Sequence, residues 1–231
     1  MGDRYTITAS RETLTERFAR DISERYQPRY NAAPTQVLPV ITQGSQGMSY
    51  FFWGQLPERS NNKPIGAKLL YVQSDALINT AGGRRMLESF RCLVPADGYY
   101  DWRQVSKKGR IPHRIVRQDN GIFAIAGIWE EFEDDEGHVV HTFKMITVPS
   151  STNLKNISTT MPLILDRQHE NLWLDPNASV EDLEGLIHPP ADAEFRSYTV
   201  SPRIENPDND QPNLIKPFSP ADQFGNYSLF D

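Results

Sequence analysis

The first apolar positions with a regular spacing are Leu14, Phe18 and Ile22, four apart and preceded by Ser10. That interval lines one face of a helix, and a serine ahead of it is placed to cap the free N–H groups, so RETLTERFARDI is predicted helical. QPRYNAAPTQ breaks the period. VLPVIT and MSYFFWGQL, rich in β-branched and aromatic residues, predict strands, and PERSNNKPIGAK between Leu56 and Leu69 predicts an exposed loop. Gly82 and Gly83 open a short helix, RRMLESF, with Met86 and Phe90 on one face. A run of further strands follows: CLVPAD, YYDWRQV, PHRIVRQ, IFAIAGIWEEF, HVVHTFKMITV and MPLIL, with turn-like KKGR, QDNG and EDDEG among them. Strands in such close succession favour a mainly antiparallel sheet or barrel over alternating βαβ units. RQHENLWL predicts a helix. A second begins at Ser179, with Asp182 three residues on and Leu183, Leu186 and Ile187 behind it. FRSYTV is a last strand, and the Pro- and Asn-rich segment from Pro202 is irregular. No repeat or linker divides the pattern, which therefore predicts one α+β domain over residues 1–218 and a tail at 219–231.

A chain of 231 residues that is 38% hydrophobic carries enough apolar surface for one large core. No run approaches the roughly 18 apolar residues of a membrane span, and the first residues lack the apolar stretch of a secretory signal. The expectation is a cytoplasmic protein with no membrane partner, in which the Asn-x-Ser triplets at Asn156, Asn177 and Asn226 are chance matches. One cysteine, Cys92, excludes an internal disulfide and a thiolate metal cluster, and its apolar run CLVPA predicts a buried thiol. The net charge of −6 argues against a protein that coats nucleic acid non-specifically. Residues 81–120 nevertheless carry +5, from nine cations including Arg84, Arg85, Arg91, Arg103, Arg110 and Arg114, against −11 for the remainder. A solvated face and a nucleic-acid surface are equally compatible with that run.

Candidate chemistry is sparse. No phosphate loop, G-x-G-x-x-G or G-x-S-x-G occurs. His138 and His141, three apart in a predicted strand, point to opposite faces and cannot share a metal, so neither a metal nor another cofactor is expected. In PADGYYDW, Asp97 reads as a turn former before Gly98, whereas Asp101 falls inside a strand pattern that disfavours a carboxylate. Such a group either pairs with an arginine or, with its pKa raised by burial, serves as an acid or base. Asn79 in LINT and Asn31 in RYNAAP raise the same question less sharply.

RYNAAPTQ, FFWGQLP, LINT, SFRCLVPADGYYDW, FAIAGIWEEF, TTMPLIL and SYTVSPRIENPDND together resemble the SRAP family, the SOS-response-associated peptidase or abasic-site-processing proteins, from about Met1 to Phe218. The resemblance implies a pseudo-barrel of strands with flanking helices and a groove for single-stranded or abasic-site DNA, and a monomer is expected. It also implies that the initiator methionine is lost and that a terminal cysteine traps the ring-opened aldehyde of an abasic site as a thiazolidine, helped by an asparagine, a glutamate and a histidine.

In this chain Gly2 occupies the cysteine position, Asp3 follows it, and Arg4 is retained. Asn79 matches the asparagine, although TAGGRR replaces the usual continuation. Asp101 stands for the glutamate and Ser158 for the histidine, while Thr147 matches a threonine of the site. Asn31 and Pro34 match residues beside the DNA groove, and Arg84 and Arg85 are further candidates for it. A thiazolidine needs nitrogen and sulfur on the same terminal residue, and glycine supplies nitrogen alone. The expectation is therefore DNA binding with durable crosslinking lost. The alternatives are a residual Schiff-base lyase acting through the Gly2 amine, and a pseudoenzyme that binds another ligand or protein.

Overall fold

A computed structural model describes residues 2–54, 67–107, 109–133 and 136–219. Two sheets form its frame. In the first, β1 (Arg4–Ile7) lies between β2 (Arg29–Ala32) and β7 (Gly98–Gln104), and β8 (Arg110–Arg117) and β13 (Phe195–Thr199) extend it, all antiparallel. In the second, β3 (Val37–Thr42) joins β4 (Ser49–Trp53) to β6 (Arg91–Ala96). β9 (Phe123–Glu133) pairs both with β6 and with β10 (Val139–Pro149), and β10 pairs in turn with β4. That last pairing closes the ring β10-β4-β3-β6-β9 into a barrel, with β5 (Tyr71–Gln73), β11 (Thr160–Pro162) and β12 (Ile164–Leu165) attached to it.

Why these stretches become strands is plain from their burial. All of β6 is buried, and six consecutive residues of β9 are as well, which suits continuous apolar runs inside a closed barrel. Tyr5, Ile7, Tyr99 and Ile115 of the first sheet pack with Leu93, Val94 and Phe143 of the barrel in one core. The mainly antiparallel expectation holds, with β4 and β5 each running parallel to β10.

The short helices clamp the edges. α1 (Arg11–Phe18) begins at Ser10, whose hydroxyl accepts the Thr13 N–H. It stops four residues short of Ile22, because Ala19 turns left-handed at φ 50° and the chain then bridges Asp21 to Gly47. Ile22 is still buried, but as a residue of that turn. Arg17 on α1 makes a two-pronged ion pair with the buried Glu170 of α5 (Glu170–Leu174), a geometry that fixes orientation as well as position. Between β4 and β6 lie α2 (Ala67–Leu70), α3 (Ser74–Asn79) and α4 (Ala81–Ser89), and α6 (Val180–Gly185) is capped by Ser179, which accepts the Asp182 N–H. The loop expected at residues 57–68 lies outside the described residues up to Pro64–Gly66, and α2 starts directly after them. Most of the expected tail at 219–231 also lies outside them.

The segment after β13 is irregular, as expected, yet it is packed. Two short 3-10 turns, Pro202–Glu205 and Pro212–Ile215, bury Ile204 and Leu214 against Tyr100 and Val200 on the outer face of the first sheet. Among the described residues no helix is long and apolar enough to cross a membrane.

Candidate functional site

Residue 2 sits where β1 meets the far end of β7. The register sets Arg4 opposite Tyr100 and Tyr5 opposite Tyr99, so the chain ahead of β1 runs toward Asp101 and Trp102. A cleft of about 400 Å³ opens there, lined by Gly2, Asp3, Arg4, Tyr71, Asp101, Trp102, Arg110 and Glu205, with Leu70 and Gln104. The Tyr71 hydroxyl donates to the Gly2 carbonyl and tethers the terminus to β5. Gly2 has no room for a side chain in this position: a Cβ would lie 2.3 Å from Cζ3 of Trp102 and 2.5 Å from the Tyr100 carbonyl oxygen.

Asp101 is 6% exposed. Burial raises its pKa above the ordinary carboxylate value; the positive amino terminus, the Trp102 N–H and the Ser158 hydroxyl act against that rise. Oδ1 accepts the Trp102 N–H at 2.9 Å. Four of the sequence candidates are thus brought together: Gly2 and Arg4 line the cleft with Asp101, and Ser158, two residues before β11, bonds to Asp101. Arg4 is buried, and its guanidinium meets Asp3 at 2.9 Å. Arg110 stands over the Trp102 ring at 5.0 Å and pairs with Glu205 at 3.2 Å.

The other candidates lie elsewhere. Thr147 is buried on β10 between Gln73 and Pro162, with its hydroxyl on the Val72 carbonyl at 3.4 Å. Pro34 is half-buried in the turn before Thr35, whose N–H bonds to the Trp53 carbonyl. Asn79 is exposed at the end of α3 and does not line the cleft. Arg84 and Arg85 on α4 do not line it either: Arg84 reaches Glu184 of α6 at 3.5 Å, and Arg85 borders a separate groove with Phe90 and Trp129. Asn31 is 0% exposed, and its Nδ2 donates to the carbonyls of Ile204, Asn206 and Asn209. A fully enclosed amide whose nitrogen holds three carbonyls ties β2 to the segment after β13, and Asn31 does not line the cleft beside Gly2.

The basic segment is rearranged in the same way. Arg91 is fully buried and donates to the carbonyls of Trp173, Leu87, Glu88 and Asp175. Arg114 is buried against Asp97 at 2.9 Å, while Asp97 also accepts the hydroxyls of Thr6 and Thr8 and the Thr8 N–H. Asp97, read as a turn former, is therefore the carboxylate with an arginine partner, and it ties β1 to β7 and β8. Tyr99 and Tyr100 are core residues, which leaves Trp102 as the aromatic of that motif facing the cleft. Tyr71 and Glu205 were not singled out as site residues in the sequence and Arg110 was named only within the basic segment, because the three meet only through the topology.

The family described as "SOS response associated peptidase (SRAP)" matches residues 1–207, and the chain belongs to that family. Among its relatives is the "Abasic site processing protein YoaM" of Bacillus subtilis, 32% identical over 223 residues that span 93% of this chain and 97% of that one. The "Abasic site processing protein HMCES" of Xenopus tropicalis is 28% identical over 84% of this chain and 67% of its own length. A crystal structure of a Bacteroides thetaiotaomicron protein, 23% identical, covers 94% of this chain and all of its own with a TM-score of 0.80, which shows a shared fold.

Proposed function

We propose that this chain binds single-stranded DNA containing an abasic site at the cleft beside Gly2, and that it forms no durable crosslink there. The observation that carries the reading is residue 2 itself. It bears no sulfur, and the space a Cβ would need is filled by Trp102 and the Tyr100 carbonyl. A ring that locks the aldehyde needs sulfur and nitrogen on one residue. Cys92 is no substitute: it is fully buried in β6, and burial pushes its thiol far above the ordinary range. The relatives named as abasic-site-processing proteins supply the class of ligand. Arg4 and Arg110 line the cleft, paired with Asp3 and Glu205, and the phosphates of a bound strand would compete with those carboxylates for them.

A second reading rests on Asp101. With Met1 removed, the Gly2 amine adds to the sugar aldehyde; two protons pass from nitrogen to oxygen, and water leaves to give an imine. A buried carboxylate of raised pKa in the cleft that Gly2 also lines is suited to carry those protons. Imines reverse in water, so the adduct survives only when borohydride adds hydride to the imine carbon.

The test uses abasic and intact single-stranded oligonucleotides, with fluorescence anisotropy at two salt concentrations and denaturing gels with and without borohydride, on protein whose N-terminus is established by intact mass. Salt-sensitive binding that favours the abasic strand, with a covalent band only in the reduced sample, is the expected result. A heat-stable band without reductant overturns the account of residue 2. Absence of binding at both salt concentrations overturns the function itself.

A further inference from the structure

The segment after β13 builds a second groove next to the cleft. It has a volume of about 510 Å³ and is lined by Pro202, Arg203, Leu214, Lys216, Pro217 and Phe218, with two smaller polar residues and no carboxylate. Arg203 and Lys216 are exposed, and among the described residues neither meets an acidic group. In the cleft, by contrast, Arg4 and Arg110 already face Asp3 and Glu205. Unpaired cations neutralise a phosphate by releasing its counterions, with no internal ion pair to break first. Phe218 adds an aromatic ring, 40% exposed, on a backbone that is held at both ends. Its N–H donates to the Thr199 carbonyl at 2.9 Å, and its own carbonyl accepts the Thr199 hydroxyl at 2.7 Å. The turn before it is anchored by the buried Leu214 and by the Tyr198 hydroxyl, which donates to the Ile215 carbonyl at 2.8 Å. A ring presented on a fixed backbone stacks with a base without the cost of ordering a loop.

Groove and cleft meet at one turn. Pro202 and Arg203 line the groove, and Glu205, in the same 3-10 turn, lines the cleft. Residues three apart in such a turn stand one above the other, so Pro202 and Glu205 share a face and lie roughly 6 Å apart at about 2.0 Å per residue. Stacked nucleotides of one strand advance about 3.4 Å each, and about two of them cover that interval.

We propose that the groove at Arg203, Lys216 and Phe218 is a second subsite for single-stranded DNA, taking the nucleotides that leave the cleft past Glu205. The inference rests on the reading of the cleft as a DNA site. Arg203 and Lys216 pair with phosphates and Phe218 stacks on a base, contacts that carry no sequence preference. Recognition of the lesion stays in the cleft, and the groove adds affinity to any strand long enough to reach it.

The experiment measures anisotropy over a salt series with an abasic strand of about 15 nucleotides, an abasic strand of about five and an intact long strand, lengths that bracket a single-domain footprint. It compares the full wild-type chain with Arg203→Ala/Lys216→Ala, with the charge-preserving Arg203→Lys/Lys216→Arg, and with Phe218→Ala. The double alanine variant is expected to bind both long strands about tenfold more weakly, with a salt slope shallower by about 1.4 for two lost phosphate contacts. Phe218→Ala is expected to lose about fivefold or more on the long strands with its salt slope unchanged. All variants are expected to bind the short strand, and to prefer the abasic over the intact strand, as the wild type does, and the charge-preserving variant is expected to match the wild type throughout. Wild-type affinity and slope in the double alanine variant overturn the subsite, as do equal losses on short and long strands. A wild-type protein that binds no strand overturns the DNA reading and this inference with it, whereas normal wild-type binding with indifferent variants removes the subsite alone.

Discussion

Gly2→Ala is the smallest change that tests how the cleft is assembled. The new methyl would stand 2.3 Å from Trp102 Cζ3 and 2.5 Å from the Tyr100 oxygen. Carbon atoms settle near 3.5–4.0 Å, so the overlap exceeds about 1 Å and something must give way. The Tyr100 carbonyl cannot, because β7 is paired on both sides by β1 and β8. Sliding the Trp102 ring out from beneath Arg110 amounts to overpacking, at about 1–3 kcal/mol. Releasing the terminus instead gives up the Tyr71 hydroxyl bond to the Gly2 carbonyl, about 1 kcal/mol. The cheaper route wins, so Gly2→Ala frees the terminus and lowers the melting temperature by roughly 2–4 °C. Tyr71→Phe removes the same bond and lowers it similarly. Because both act on one tether, the double variant melts close to either single one in calorimetry, and its borohydride-trapped yield falls with theirs. Losses that sum in the double variant, or a Gly2→Ala protein as stable as the parent, would refute the reasoning.

Other outcomes follow from groups away from the cleft. Asp97→Ala strands the buried Arg114 and the Thr6 and Thr8 hydroxyls, and a loss of about 3–5 kcal/mol in urea unfolding is expected; a loss below about 1 kcal/mol would contradict the clamp. His113 is held neutral in the folded state, with its pKa lowered from 6.5 to about 4, so unfolding takes up a proton as the pH falls below 6.5. Stability from this group is full above that pH and declines toward pH 4, by about 2 kcal/mol between pH 7 and 5, and His113→Phe should remove that increment from the pH dependence of the urea midpoint. Cys92 should resist a thiol reagent in the native protein and react on denaturation; modification under native conditions would show that β6 opens.

The strands were legible because their apolar runs are long and their burial continuous. CLVPA, FAIAGI and FKMITV fall within β6, β9 and β10. What the sequence hid was set by partners far away in the chain. β1 and β2 are four residues each, too short to show a period, and they exist because β7 and each other supply hydrogen bonds. α1 was predicted too long because Ile22 keeps the spacing of four and is buried, but by a turn rather than a helix. At the site, Asp101 stood out as a carboxylate in a strand, and it is buried in β7. Asn31 was less suggestive, and its amide holds three backbone carbonyls, a task that the residue type alone does not distinguish from holding a ligand. His113 had no local signal at all; its burial follows from its register position opposite Asp101 in the β7–β8 pair.

The contacts around Asn31 have a further effect on how the molecule behaves in company. β2 is the last strand of the first sheet, and such a margin ordinarily offers free N–H groups to any passing chain. Here the Asp210 carboxylate takes the N–H groups of Tyr30 and Asn31, and Arg29 pairs with its other oxygen at 3.0 Å. The stretch from Ile204 to Asp210 thus acts as a selvedge: it finishes the sheet with side-chain oxygen where a foreign strand would otherwise add itself, and its removal by truncation would favour self-association.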